Sequence, residues 1–260
     1  MPELLIRREG AVGILQFSNP AKFNAMSHDM WRAVPPAIQA FDADPDVRVV
    51  VLEGAGDKAF VSGADISQFE SQRTDPDAQR AYGAAVEAAY GAPVACSKPV
   101  IAKIRGICMG GGLGLAAACD LRFCSTDARF RMPAARLGLA YNVPGVRRFM
   151  DILGVQNTYD IFFSAHIFGA EDALRMGFVA KVTAPDALDA TVAEWTSLVA
   201  ENAPLTMKAA KLTVNHLLSD ADARDDAALK AALAACGTSE DYKEGARAFM
   251  EKRKPQFRGR

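Results

Sequence analysis

The sequence predicts an α/β fold, and three observations carry that prediction. Strand-like β-branched runs alternate with glycine-bearing loops and helical segments through the first half, as in a sheet with helices layered on it. Beyond about Pro144 the strand signal fades apart from "FVAKV", and helical spacing dominates. A chain of 260 residues with 50% hydrophobic content suits one large core, or one core with an appendage.

The elements follow in order. "LLIRREGAVGILQF" is two apolar runs around Glu9-Gly10 and reads as a β-hairpin. Ser27 has the chemistry of a helix N-cap, with Asp29 in the first turn. That helix should reach about Phe41, with a kink or break at Pro35-Pro36. "VRVVVLEG", from Val47, has the composition of a buried strand. After "FVSGADI" the polar "SQRTDPDAQ" reads as a mobile loop, and an alanine-rich helix runs toward Pro93. "KPVIAKI" is the next strand, Leu113 to Ala118 a helix and "DLRFCS" another strand. Helical patterns then cover Ala187 to Ala200, Thr206 to Leu218, Asp225 to Ala235 and Ser239 to Lys252. Asn202-Ala203-Pro204 marks a boundary between an α/β body, residues 1–202, and a helical part, residues 203–260.

Bulk chemistry narrows the function. Thirty basic and 31 acidic side chains give a net charge of -1, with no electrostatic footprint for nucleic acid or an anionic membrane. Five cysteines without paired CxxC spacing suggest neither a disulfide framework nor a metal site. The N-terminal segment lacks a long apolar run, and no stretch reaches the ~18 apolar residues of a membrane span. These features predict a cytoplasmic protein that works on small molecules.

The strongest local signal is "GICMGGGLGLAAACD", residues 106–120, because each glycine in a helix costs roughly 1 kcal/mol against alanine. Two glycine turns, "VSGADI" after the strand of residues 47–53 and "MGGGLGL" after that of residues 99–104, can each present backbone N–H groups. Two such groups converging from different loops would make an oxyanion hole, aided by the dipole of a helix starting near Gly111 or Gly112. Tight packing alone is the other reading of the cluster. Gly112-x-Gly114-x-x-Ala117 imitates a dinucleotide fingerprint only weakly, since Asp120 comes too soon to bind a ribose.

In order along nearly the whole chain, "KAFVSGADI", "KPVIAKIRGICMGGGLGLAAACDLRFCS", "ARFRMPAARLGL", "PGVRRFMDILG", "ALRMGFVAKVT" and "SEDYKEGARAFMEKRKPQFRG" resemble segments of the crotonase (enoyl-CoA hydratase/isomerase) superfamily. The resemblance implies a spiral of repeated ββα units with a C-terminal helical trimerisation region. It also implies a homotrimer or homohexamer, and an acyl-CoA substrate whose coenzyme A belongs to the thioester, with no separate cofactor or metal. By motif match the oxyanion donors are the N–H groups of Ala64 and Gly111, and Ser62, Gly63, Asp65 and Ile66 lie along the CoA.

The same resemblance exposes a departure. Hydratases of this superfamily use two glutamates, because water must lose a proton as the α-carbon gains one. Here the matching positions are Gly114 and Ala134. "LGLAYNVPG" resembles the corresponding stretch of methylmalonyl-CoA decarboxylase, which makes Tyr141 a candidate to orient a leaving carboxylate or donate a proton. Decarboxylation needs no carboxylate base. Three functions stay open: hydratase or isomerase chemistry through an enolate, decarboxylation of a malonyl-type thioester using Tyr141, and acyl-CoA binding without catalysis. Structural or solvated roles are expected for Asp120, Arg136, His28, His166, His216, Lys252 and Phe257, while Asp65 should orient its loop. Residues 69–80, Tyr141 and Phe162 are expected to form the pocket walls.

Overall fold

The computed structural model describes residues 2–65 and 76–260. The hairpin is β1 (Glu3–Glu9) and β2 (Val12–Ser18). Ser27 caps α1 (His28–Ala43), its side chain accepting the Met30 N–H at 3.2 Å. Contrary to expectation, α1 runs unbroken through Pro35 and Pro36. Each proline forfeits one backbone bond, but the buried stripe of Trp31, Val34, Ile38 and Phe41 holds the helix against the core.

Three units of strand, short strand and helix come next. The first is β3 (Val49–Gly54), β4 (Ala59–Val61) and α2 (Pro76–Ala95). The second is β5 (Val100–Ile104), β6 (Ile107–Met109) and α3 (Gly111–Ala118). The third is β7 (Leu121–Ser125), β8 (Arg129–Arg131) and α4 (Ala134–Leu137). Beyond them lie α5 (Val143–Ser164), β9 (Phe168–Gly169), α6 (Ala170–Arg175) and β10 (Lys181–Thr183). The chain closes with α7 (Leu188–Ala200), α8 (Pro204–Leu218), α9 (Asp226–Thr238) and α10 (Glu240–Met250).

The long strands build a six-stranded sheet, β1-β2-β3-β5-β7-β10, which is parallel from β2 onward. The short strands build a second sheet, β4-β6-β8-β9, whose only antiparallel pair among the described residues is β8 with β9. The strand patterns alone do not announce this second sheet, since strands of two or three residues show no alternation, but the repeated ββα units that the resemblance implies contain it. Both glycine turns therefore follow β4 and β6, not the longer strands. "SQRTDPDAQ" is only partly a loop: Pro76 to Gln79 already belong to α2, and residues 71–75 lie outside the described residues. In "FVAKV", only Lys181 and Val182 are strand, because Phe178 and Val179 are buried at a turn.

The C-terminal helices are tied to the body. Lys211 Nζ donates to the Pro93 and Lys98 carbonyls at 2.8 and 3.0 Å, and lies 2.8 Å from Asp120 Oδ2. Buried Asp241 accepts the Arg258 and Gly259 N–H groups, each at 2.7 Å. Phe257 is not a solvated end: its ring is half-buried beside Gly245, and its carbonyl accepts from Arg48 at 3.2 Å.

Candidate active site

The two glycine turns meet at the ends of β4 and β6. Gly110 has φ +51° and ψ −117°, which an L side chain disfavours, and this conformation swings the chain from β6 into α3. Gly63 has φ +124°, and a Cβ on it would lie 3.4 Å from the Met109 carbonyl and 3.9 Å from the Gly111 nitrogen. Closer still, a Cβ on Gly112 would stand 2.1 Å from the Val61 carbonyl, so α3 rests directly on the backbone of β4. The glycine cluster has a packing cause as well as a chemical one.

Backbone bonding aims the N–H groups. The Met26 N–H donates to Gly63 O at 2.8 Å and the Asp65 N–H to Met26 O at 2.9 Å, a parallel bridge opposite Ala64. A residue flanked by such a pair turns its own N–H to the other edge. Gly111 is the first residue of α3, so its N–H has no acceptor within the helix and carries part of the positive dipole end.

Both residues line a cavity of about 740 Å³. Ser62, Gly63, Gly114, Ala134 and Tyr141 line it too, so the structure brings together most of the residues singled out in the sequence. Asp65 is the exception, for its buried carboxylate takes Lys22 Nζ at 2.8 and 3.0 Å and is not on the cavity wall. Ser62 Oγ donates to the Lys22 carbonyl at 3.0 Å, which ties the same turn to the segment before α1. Ile66 lies outside the described residues.

Where a side chain on residue 114 would project, the structure has a phenol. A Cβ on Gly114 would stand 2.6 Å from Tyr90 Oη, and that hydroxyl donates to the Gly111 carbonyl at 3.1 Å. The Tyr90 ring is set edge-on to Trp31 with centroids 5.7 Å apart. Tyr141 packs edge-on to Phe162 at 5.4 Å, and no described residue hydrogen-bonds its hydroxyl. Burial pushes the Tyr141 hydroxyl up to about 12. Burial, reinforced by Tyr141 itself, holds Tyr90 well above the ordinary phenol range. Both phenols are therefore neutral near pH 7 and can donate hydrogen bonds, but neither is a base.

The remaining expectations sort out by position. Phe162 stands behind Tyr141 and not on the wall, residues 69–75 lie outside the described residues, and 76–80 do not reach the cavity. Asp120 has a structural role, accepting the Val100 N–H at 2.7 Å as well as meeting Lys211. Arg136 is exposed, with no ion pair among the described residues. His28 lies against Tyr82, His166 against Ser164 and His216 against Asp226, all off the wall. Sequence reasoning missed Trp31, Glu87, Tyr90 and Arg148, which do line it. Tyr82, Val86, Tyr90 and Val94 recur every four residues on α2, and that stripe was the available signal.

Comparison with known proteins agrees with this architecture. The family model described as enoyl-CoA hydratase/isomerase matches residues 7–260. The chain is 32% identical to the short-chain-enoyl-CoA hydratase of Clostridium acetobutylicum over 252 residues, 96% of this chain and 95% of that one. It is likewise 32% identical to the peroxisomal Delta(3,5)-Delta(2,4)-dienoyl-CoA isomerase of Arabidopsis thaliana, covering 96% and 93% of the two chains. The crystal structure of an enoyl-CoA hydratase/carnithine racemase from Magnetospirillum magneticum superposes with a TM-score of 0.93 at 32% identity, over 99% of this chain and 96% of that one.

Proposed function

The chain belongs to the enoyl-CoA hydratase/isomerase family of the crotonase superfamily, and we propose that it acts on an acyl-CoA thioester by stabilising an enolate between the Ala64 and Gly111 N–H groups. The observation that carries this reading is the orientation of the two donors: Ala64 bridged to Met26 on its other edge, Gly111 at the open end of α3, both on one cavity wall. Negative charge developing on the thioester oxygen would meet two fixed dipoles, and each well-placed donor lowers such a barrier by about 3 kcal/mol. Ser62 and Gly63 would follow the CoA. Asp65 would act from behind, by pinning the turn to Lys22.

Proton transfer sets the reaction apart from ordinary hydration. Gly114 and Ala134 carry no acid, and Tyr90 fills the space beside Gly114. Tyr141, with a protonated hydroxyl free of any described partner, favours a second reading in which a malonyl-type thioester is decarboxylated. There the Cα–carboxylate bond breaks, CO2 leaves, its electron pair enters the enolate, and a proton then returns to the α-carbon, with Tyr141 as donor. The exposed Leu217, Phe249 and Met250 of the C-terminal helices support assembly as a homotrimer or homohexamer, which light scattering would measure.

A panel of acyl-CoA thioesters, read by mass spectrometry alongside thermal unfolding, tests the proposal. Turnover of at least one thioester of the panel, a malonyl-type one under the second reading, is expected together with a raised melting temperature. Stabilisation without turnover of any thioester would leave an acyl-CoA-binding protein. No stabilisation by CoA or any thioester at saturating concentration would overturn the acyl-CoA reading itself.

A further inference from the structure

The cavity has a direction. Tyr90 of α2 lies against Gly111 and Gly114 near the start of α3, while Lys211 Nζ clasps Pro93 and Asp120 together at the other end. The two helices therefore run side by side. Glu87, Ala64, Val94, Gly111, Ala118 and Arg148 all line the cavity; along the two helices Glu87 and Gly111 come before Val94 and Ala118, and Ala64 follows Gly63, which lies against Gly111. The eight residues of α3 rise about 10 Å from first to last. Along that length the cavity is lined by Gly111, Gly114 and Ala118 of α3 and by Tyr90 and Val94 of α2, so an extended chain would pass beside the Tyr90 ring that fills the space at Gly114.

Arg148 is the cation on the wall among the described residues, and it has no acceptor there. It sits near Cys119 and Arg122, close enough for its charge to act on both. Capping α3 is not its task, because Arg122 already takes the Ala116 and Cys119 carbonyls at 3.2 and 2.7 Å. Of the neighbouring carboxylates, Asp120 is paired with Lys211 at 2.8 Å, and Asp151, 4.0 Å from Arg147, makes no ion pair with Arg148. Glu87 lies about 10 Å before Val94 along α2. A guanidinium in an otherwise apolar recess calls for an anionic partner, and its planar fork suits a carboxylate.

We propose that Arg148 binds a carboxylate at the far end of the acyl chain, so that the preferred substrates are ω-carboxyacyl-CoA thioesters, half-activated dicarboxylic acids. This rests on the acyl-CoA reading, with the thioester at Gly111 and the chain running toward Ala118. The distance sets the length: chains well beyond a four-carbon diacid are needed to span from one group to the other.

Calorimetric titration with saturated thioesters tests this without requiring turnover. Suberyl-CoA is expected to bind the wild-type protein at least about tenfold tighter than octanoyl-CoA, which has the same number of acyl carbons. Across succinyl-, adipyl-, suberyl- and sebacyl-CoA, affinity should peak above the shortest member. R148M should erase the preference for suberyl-CoA over octanoyl-CoA, and retained binding of free CoA shows that the variant folded. R148K should keep part of the preference. Equal affinities in the wild type, or a preference that survives R148M, would overturn the inference alone. Failure of every thioester and of free CoA to bind would instead overturn the acyl-CoA reading beneath it.

Discussion

Tyr90 holds its hydroxyl 2.6 Å from the point at which a Cβ on Gly114 would stand. The absence of a side chain at 114 is thus matched by a bulky residue on the facing helix. Trp31 against the ring and the Gly111 carbonyl on the hydroxyl fix that residue in place. A glutamate placed at 114 alone would collide with Tyr90 before it could take part in chemistry.

The collision can be measured as stability. G114A should cost about 2 kcal/mol by overpacking, although alanine is the better helix former. In a Y90A background the same change should cost nothing further, because the obstructing phenol is gone. Urea unfolding of the two single variants, the double variant and the wild type closes the cycle. An equal cost of G114A in both backgrounds would show that Tyr90 is not the obstacle.

Tyr141 should work as a neutral donor. With its hydroxyl pushed up to about 12, the fraction ionised between pH 6 and 9 is negligible, so Tyr141 adds no rising limb to the rate there. Y141F should lower kcat on a malonyl-type thioester by about 100-fold, with KM little changed. A rising limb below pH 9 that vanishes in Y141F would make Tyr141 a base and refute this assignment.

Much of this was legible in the sequence, for identifiable reasons. The hairpin, α1 and the long strands announce themselves by alternation, by the Ser27 cap and by β-branched runs. Gly110 to Gly114 stood out because glycine is a poor choice in a helix, and their packing against Val61 and Tyr90 supplies the cause. The second sheet was hidden from the strand patterns because its strands are too short for a periodic signal. Tyr90 was signalled only as one member of the four-residue stripe on α2 and Arg148 by no local spacing, because their places on the wall depend on α2 and α5 docking beside α3, a tertiary fact.

The cysteines give a simple check on packing. Burial pushes Cys96 up to about 11 and Cys119 and Cys124 up to about 12, while Cys108 is held well above the ordinary thiol range by the same cause. Cys236 on α9 is the one partly exposed thiol of the five. A disulfide reagent at pH 8 should therefore label Cys236 and leave the other four until the protein unfolds. Rapid labelling of Cys108 or Cys119, seen by peptide mass spectrometry, would contradict the packing of α3.

Acid should unfold the protein through one carboxylate network on the large sheet. Buried Glu53 meets Lys103 and lies 2.8 Å from Arg7, and Asp189 lies 2.7 Å from Lys103 and 2.9 Å from Arg105. Burial alone would raise Glu53, but Lys103 and Arg7 outweigh it and hold the carboxyl below its ordinary value. Arg105, helped by Lys103 against a smaller desolvation, brings Asp189 down to about 2. Carboxylates depressed in the folded state contribute stability that is complete above their unfolded values of about 4 and is lost as pH falls through the folded ones. Stability should therefore stay level from pH 7 to about pH 5 and drop between about pH 4 and pH 2. E53Q should cost about 3 kcal/mol at pH 7, since it leaves Lys103 and Arg7 facing a neutral amide, and should make the acid limb shallower. Urea titrations at stepped pH on the wild type and E53Q decide it, because an unchanged limb in E53Q would assign the acid sensitivity to other carboxylates.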